Sequence, residues 1–77
     1  MNLTPEQYQM TWQGILIDIR YQPHWLRAYA VAHLELQTLK PERATLPMTE
    51  TGYRSHFTDR EDIEQAGGAV AYVRAWL

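Results

Sequence analysis

Residues 15–21 are ILIDIRY, a stretch in which apolar and polar side chains alternate from one residue to the next. The three isoleucines and Tyr21 fall on one side of an extended chain, and Leu16, Asp18 and Arg20 fall on the other. Successive side chains of a β-strand point to opposite faces, and β-branched residues favour strands. The stretch therefore predicts a half-buried strand whose isoleucines face the core.

A second alternating stretch, AYAVAHLELQTL, occupies residues 28–39. Its small and aliphatic side chains recur at every second position, which predicts a second strand. The side predicted to face the core carries Ala30, Ala32, Leu34 and Leu36. The other side carries Tyr29, Val31, His33 and Glu35.

The segment QPHWLRA, residues 22–28, is expected to interrupt the pairing of these two strands. Pro23 cannot donate a hydrogen bond to a sheet and favours an extended or turn conformation before it. A simple hairpin register would then place Leu16 near His33 and Asp18 near Val31. After the second strand, Pro-containing turns are expected in residues 40–47.

A third strand is predicted in TETGYRSHF, residues 49–57. The expected core side of this strand carries Thr51, Tyr53, Ser55 and Phe57. Arg54 and His56 are expected to point outward, where Glu50, Asp59 or Asp62 are available as ion-pair partners. Tyr53 is expected to place its ring under a helix and its hydroxyl on a polar neighbour at the rim.

A helix is predicted after this strand, because TDRE at residues 58–61 matches a capping box. Thr58 or Asp59 would be the cap, with Glu61 completing the box. Apolar residues then follow at helical spacing as far as Leu77. The Gly67-Gly68 pair predicts a kink or break, with one glycine as a C-cap and a second helical piece over residues 69–77.

The N-terminal stretch LTPEQYQM, residues 3–10, carries a helix-start pattern with Thr4 as cap and Pro5 at the first helical position. It predicts one or two helical turns, with an extended arm as the alternative. The sum is a single α+β domain over residues 1–77 with two layers in the order β-β-β-α. It has a three-stranded antiparallel sheet, one broken C-terminal helix and a short N-terminal helix.

The composition excludes several classes of site. The chain has no cysteine, which rules out disulfides, thiolate zinc sites and a Cys nucleophile and favours the reducing cytoplasm. The sequence has no apolar run of about 20 residues for a membrane span, and its first residues lack a signal-peptide pattern. The net charge of −2 argues against a large phosphate-binding surface, although six of the seven basic residues are arginine.

One helical layer leaves one face of the sheet uncovered, and this face is the predicted binding surface. The segment from Arg20 to Tyr29 adds residue types that dominate binding hot spots. The predicted protein-binding residues are Arg20, Trp25, Arg27, Tyr29, Val31 and His33. The alternatives are an ordinary solvated face, and a Trp25 that folds back with Leu26 over a small core.

Two other partners remain open. A nucleic acid would be contacted by Arg20, Arg27 and Arg54, with Trp25 and Tyr29 as stacking groups. The other possible partner is a second copy of the chain. Trp76 and Leu77 are either core residues or residues of such a dimer interface.

Catalysis and metal binding are disfavoured. Ser55 and His56 are adjacent, so on a strand their side chains point to opposite faces and cannot act as nucleophile and base. His24, His33, His56 and Glu35 lack the short spacing of structural zinc ligands. The expectation is a chain that is not an enzyme and holds no cofactor and no metal.

The segments PMTETGYRSHF, residues 47–57, and GGAVAYVRAWL, residues 67–77, resemble small uncharacterised proteins encoded on plasmids and integrative elements of proteobacteria. The similarity extends over residues 12–77 and brings no catalytic residues with it. It implies a protein that acts stoichiometrically on a host or element protein, as anti-restriction and anti-CRISPR inhibitors do. The nine acidic residues are spread along the chain and form no run that would mimic DNA.

Overall fold

A four-stranded antiparallel sheet followed by two helices makes up the structure, a computed structural model that describes residues 5–26 and 30–77. The strands are β1 (Glu6–Trp12), β2 (Ile15–Leu26), β3 (Val31–Lys40) and β4 (Tyr53–Asp59), and the helices are α1 (Arg60–Ala66) and α2 (Ala69–Trp76). The strands lie side by side in sequence order, so β1 and β4 are the two edges. The α+β class is confirmed, and the expected number of three strands is wrong because a fourth precedes them.

That additional strand replaces the predicted N-terminal helix. β1 pairs with β2 so that Tyr8 lies opposite Ile19 and Met10 opposite Ile17. The Thr4-Pro5 signal is local, whereas the alternation of apolar and polar residues along EQYQMTW lets Met10 bury against the isoleucine side of β2. Burial of apolar surface outweighs the small energy of a helix cap.

β2 does not stop at Pro23, as the sequence suggested, but continues to Leu26. The register with β3 shifts between Gln22 and Leu26, and proline is tolerated in a strand at such an irregularity. Arg60 from α1 also ties down this end, since its Nη1 donates to the carbonyl oxygen of Pro23 at 3.2 Å.

The predicted hairpin register is therefore wrong. β3 pairs with β2 so that Asp18 lies opposite Gln37 and Gln22 opposite His33. The last pair of this hairpin is Leu26 with Val31. Because β2 extends five residues beyond Tyr21, every pairing moves along the strand relative to a short hairpin.

The core lies between one face of the sheet and the two helices. The predicted core sides of β2 and β3 are confirmed for the isoleucines and leucines at their centres. Among the described residues, the largest fully buried side chains are Ile17, Ile19, Leu34, Leu36, Ile63 and Val73. Trp76 and Leu77 are half-buried and pack against this core.

The alternation of β4 is as predicted, but its direction is reversed. Leu34, a core residue of β3, pairs with His56, whereas His33 pairs with Phe57. His56 and Arg54 therefore lie on the face that the helices cover, and Tyr53, Ser55 and Phe57 lie on the open face. A shift of one residue exchanges the two faces of a strand, and β4 has too few aliphatic residues for its pattern to show which face is buried.

The helical break at the glycines is confirmed, and the predicted capping box is wrong. Gly67 has φ 104°, and Gly68 donates its backbone N–H to the carbonyl oxygen of Ile63 at 3.0 Å, which closes α1 in a left-handed C-cap. Asp59 is the N-cap residue but makes no side-chain cap bond. The Thr58 hydroxyl instead donates to Asp62 at 3.3 Å. Over the described residues, no helix has the length and apolar character that crossing a membrane requires.

Candidate functional site on the open sheet face

The open face is built by alternate residues of the four strands. Residues that lie opposite each other on neighbouring strands have Cβ atoms about 5 Å apart, so the strand register determines which side chains are in contact. Arg20, Glu35 and Ser55 form one row across β2, β3 and β4, and Gln22, His33 and Phe57 form the next row. These rows bring together residues that are up to 35 positions apart in the chain.

Three aromatic rings meet at one end of this face. The ring centroid of His33 lies 4.7 Å from that of Trp25 and 4.4 Å from that of Phe57. Trp25 and Phe57 are also in edge contact, at 5.4 Å. His33 is only 5% exposed, whereas Trp25 is 44% and Phe57 53% exposed. The imidazole is thus covered by two rings that each keep about half of their surface in solvent.

A chain of polar groups holds the same imidazole from below. Nε2 of His33 lies 2.7 Å from Oγ of Ser55, and Nδ1 lies 3.7 Å from Oε1 of Glu35. The Tyr53 hydroxyl donates to Oε2 of Glu35 at 3.3 Å. Desolvation and the Glu35 carboxylate beside it raise the pKa of Tyr53 above its ordinary value. The open-face cluster comprises Trp25, His33, Glu35, Tyr53, Ser55 and Phe57.

A second polar group borders the open-face cluster. Asp18 is 6% exposed, and its carboxylate accepts a hydrogen bond from Nε2 of Gln7 at 2.9 Å. Nε of Arg20 lies 3.8 Å from the other carboxylate oxygen. Arg20 is largely exposed and stands opposite Glu35 in the register, so positive and negative groups alternate along this border.

Ser55, His33 and Glu35 lie in the order hydroxyl, imidazole, carboxylate, which is the order of a hydrolytic triad. The geometry departs from that of a working triad. The distance of 3.7 Å from the imidazole to the carboxylate exceeds a hydrogen bond. The side chain of Ser55 stands on the face of the sheet, while its own N–H lies in the plane of the sheet and cannot point at an oxyanion above Oγ. The contacts account for a buried histidine whose Nε2 is hydrogen-bonded to Ser55 and whose Nδ1 faces the Glu35 carboxylate.

The opposite face carries a separate aromatic group under α2. His56 has its ring centroid 4.4 Å from that of Trp76, and its Nε2 lies 3.0 Å from the Tyr72 hydroxyl. The guanidinium of Arg54 lies 5.8 Å from the centre of the Trp76 ring, in place of the predicted acidic partners. Burial, followed by the positive charge of Arg54, lowers the pKa of His56 below its ordinary value.

The residues predicted for protein binding are partly assembled by this geometry. Trp25, His33 and Arg20 lie on the open face, and Val31 is half-buried at the start of β3 opposite Leu26. Arg27 and Tyr29 lie outside the described residues. Sequence reasoning missed Ser55, Tyr53 and Phe57 as members of the site, because it assigned them to the core side. The proximity of His33 to Ser55 has no local signal, since it depends on strand pairing.

Of the three arginines predicted for nucleic acid, the two that the structure describes do not share a surface, and Arg27 lies outside the described residues. Arg20 is on the open face, and Arg54 is on the helix-covered face. The histidines are similarly separated, with His24 bonded through Nδ1 to Nη1 of Arg60 at 2.8 Å. Within residues 5–26 and 30–77, no three His, Asp or Glu side chains come together as a metal site would need.

Comparison with known proteins adds one family. No curated protein and no solved structure matches the chain. A family model described as the KlcB third domain matches residues 5–77, which include both faces of the sheet and both helices. The chain therefore belongs to the family of KlcB third domains.

Proposed function

We propose that this domain is a non-enzymatic protein-binding module that uses the open-face cluster as its contact surface. The observation that carries the proposal is the exposure of Trp25 (44%), Tyr53 (49%) and Phe57 (53%) on one face of the sheet. Large aromatic side chains provide most of the binding energy at protein interfaces, where burying them releases water from apolar surface.

The support beneath these rings favours binding. His33 is in contact with Trp25 and Phe57 and is itself held by Ser55, so the two exposed rings rest on a fixed layer. Side chains that are already ordered lose less conformational entropy when a partner covers them. The contact surface is thus preorganised in the unbound protein.

The charges around the rings favour a partner with mixed charge rather than a polyanion. Glu35 is acidic and Arg20 is basic, and they stand opposite each other on the open face, in the row next to that of His33 and Phe57. Rim charges of both signs guide orientation and specificity more than affinity.

The biological setting of the proposal rests on the family and on the resemblance to plasmid and integrative-element proteins. The family is named for the third domain of KlcB, and recognition of another protein is a role that one domain among several can perform. We assign the domain to an accessory protein of a mobile element that binds a host protein. Inhibition of a defence system, of the anti-CRISPR or anti-restriction type, is the form of this role that we propose.

The experiment compares binding by matched single substitutions. The protein is immobilised, partners from the native host are captured and identified, and the purified partner is then titrated against wild type, Trp25→Ala and Phe57→Ala. Tyr8→Ala is the control, because Tyr8 is 38% exposed but lies on the helix-covered side of β1. Circular dichroism verifies that each variant is folded.

Loss of either open-face ring should weaken binding about tenfold or more, and the control should bind as wild type does. Equal affinity for all four proteins would contradict the proposal. A tightly captured partner whose affinity responds to Tyr8→Ala alone would move the contact surface to the other side of the sheet.

The second candidate, nucleic-acid binding, is favoured by one observation. Trp25 and Phe57 are exposed rings on which bases could stack, and Arg20 lies on the same face. Fluorescence anisotropy with single-stranded DNA and RNA at low salt tests it. Binding that weakens with salt and is lost in Trp25→Ala would replace the protein-binding proposal.

A further inference from the structure

The outer edge of β4 presents unpaired backbone groups. Two bonds flanking the strand, Thr38 N–H to Gly52 C=O at 2.8 Å and Arg60 N–H to Ala30 C=O at 2.8 Å, show which residues bond to β3. In an antiparallel pair the bonded positions alternate, so the even-numbered residues of β4 bond inward. The N–H and C=O groups of the odd-numbered residues therefore point away from the sheet.

One end of this edge is already occupied by the preceding loop. The carbonyl oxygen of Tyr53 accepts hydrogen bonds from the hydroxyls of Thr49 at 2.7 Å and Thr51 at 3.3 Å. Across the described part of the chain, the outward N–H and C=O groups of Ser55 and Phe57 have no such partner. The free edge is thus centred on His56, the residue between them.

We propose that this edge pairs with the same edge of a second copy, antiparallel and with its two-fold axis at His56. Ser55 of each copy would then be hydrogen-bonded to Phe57 of the second copy, and the two sheets would join into one of eight strands. An isologous interface of this kind closes on itself and gives a dimer.

The register follows from the groups that are free. Pairing about His56 uses the N–H and C=O groups of Ser55 and Phe57 in both copies. Pairing about Ser55 would instead require the Tyr53 carbonyl, which Thr49 and Thr51 already occupy. A second copy thus offers a complementary row of donors and acceptors without rearrangement of the loop.

The side chains are compatible with the same register. On the open face Ser55 would face Phe57 of the second copy. The backbone pairing ends there, because Tyr53 and Asp59 would be the next bonded pair and Thr49 and Thr51 already occupy the Tyr53 carbonyl. On the other face Arg54 would face Thr58, and His56 would face His56. Opposed carboxylates or opposed arginines are absent from these pairs, which removes the electrostatic penalty of like charges.

The β1 edge is the less suitable of the two. Its open-face residues in the paired region are Gln7, Gln9 and Thr11, so an added strand there would cover polar side chains on that face. An added strand at β4 would lie beside Phe57 and Tyr53, which are the most exposed large apolar side chains among the described residues of the open face. Dimerisation at β4 would also place two open-face clusters side by side on one continuous surface.

The first test measures mass in solution for wild type and two proline variants. Ser55→Pro removes one outward N–H from β4 and no backbone hydrogen bond to β3. It also removes the hydroxyl that contacts His33, a loss that Ser55→Ala reproduces while keeping the N–H. Gln9→Pro is the matched control on β1. The two-residue turn at Gln13-Gly14 makes Trp12 and Ile15 a hydrogen-bonded pair. Because bonded positions alternate along β1, the even-numbered residues bond to β2 and the N–H of Gln9 points outward.

Analytical ultracentrifugation should give twice the chain mass of 9.0 kDa for wild type and for Gln9→Pro, and the single-chain mass for Ser55→Pro. A wild type that stays monomeric at every concentration at which it remains dissolved would overturn the proposal. So would a folded Ser55→Pro that is still dimeric, or a folded Gln9→Pro that is monomeric.

The second test reads the register directly and does not depend on the proline variants folding. The chain has no cysteine, so a single introduced thiol can form a disulfide only between copies. His56→Cys would lie opposite itself in a non-hydrogen-bonded pair, with Cα atoms about 4.5 Å apart, which is within reach of a disulfide. Thr58→Cys is the control on the same face of the same strand, two residues from the axis.

Mild oxidation should give a covalent dimer for His56→Cys and little for Thr58→Cys. No dimer from His56→Cys, or equal yields from both variants, would overturn the proposed register. Both tests concern the edge of the sheet, so a failed dimer leaves the binding experiment with Trp25→Ala and Phe57→Ala to be judged independently.

Discussion

The hydroxyl of Ser55 lies 2.7 Å from Nε2 of His33, although the two residues are 22 positions apart in the chain. The contact bridges β3 and β4 beneath the exposed rings of Trp25 and Phe57. It satisfies a ring nitrogen of a nearly buried histidine, and such a nitrogen would otherwise lose its hydrogen bond to water. The open-face cluster therefore depends on a polar contact between an edge strand and a central strand.

Ser55→Ala should lower the free energy of unfolding by about 1 kcal/mol, because His33 Nε2 would lose its partner in a site with little access to water. Urea denaturation measures the change. Thr11→Ala, an exposed position on the same face, should change stability little. In the background of His33→Gln, the effect of Ser55→Ala should shrink, and an unchanged effect would show that the two residues are not coupled.

Ser55 should not behave as an activated nucleophile. It is the only serine in the chain, so an adduct with a fluorophosphonate reagent can be assigned from the mass of the intact protein, with Ser55→Ala as the control. We expect no adduct, since the imidazole-to-carboxylate distance is 3.7 Å and the N–H of Ser55 lies in the sheet plane. Stoichiometric labelling of wild type that is lost in His33→Gln would show an active hydroxyl and contradict the non-enzymatic proposal.

The stability of the fold should fall as the pH drops from about 7.5 to about 5.5, with His56 as one cause. Burial and Arg54 hold the pKa of His56 below the ordinary value of 6.5, so the unfolded chain takes up a proton first as the pH falls. The contribution of His56 to the free energy of unfolding is therefore complete at pH values above its pKa in the unfolded chain. It is lost as the pH falls from that value to the lower pKa of His56 in the folded chain. Protonation would place a positive charge beside Arg54 and between the Tyr72 and Trp76 rings.

Thermal melting at the two pH values measures this dependence. His56→Gln should show a smaller decrease than wild type, and Thr11→Ala, an exposed position without a titratable group, should show the wild-type decrease. An identical decrease in wild type and in His56→Gln would refute the assignment to His56.

Gly52→Ala should destabilise the turn before β4 by about 2 kcal/mol. Gly52 has φ +80°, and an added Cβ would collide with Oγ1 of the buried Thr38 and approach Cα of Arg43 to 2.9 Å. Gly14→Ala is the matched control, because Gly14 has φ +78° but open space around it. Urea denaturation should give a larger loss for Gly52→Ala, and equal losses would mean that the close approach is relieved at no cost.

Much of the architecture follows from local patterns. The alternation in residues 15–21 gives β2 and its buried side, because β-branched side chains at every second position can bury only one face. Gly67 ends α1 because it adopts a left-handed conformation that other residues avoid. Arg20 and His33 are predicted on the open face by the same alternation, and the structure places them there. Trp25 is predicted from its residue type, and only the structure shows that it lies over His33 on this face.

Tertiary structure determined the rest. Residues 6–12 form a strand because Met10 buries against Ile17, which outweighs a helix-start pattern at Thr4-Pro5. The facing of β4 depends on Leu34 pairing with His56, a contact between residues distant in the chain. Periodicity shows that a strand has two faces but does not show which of them is buried. The buried face of β4 depends on its register with β3 and on where the helices pack. The contact between Ser55 and His33 therefore depends on tertiary structure.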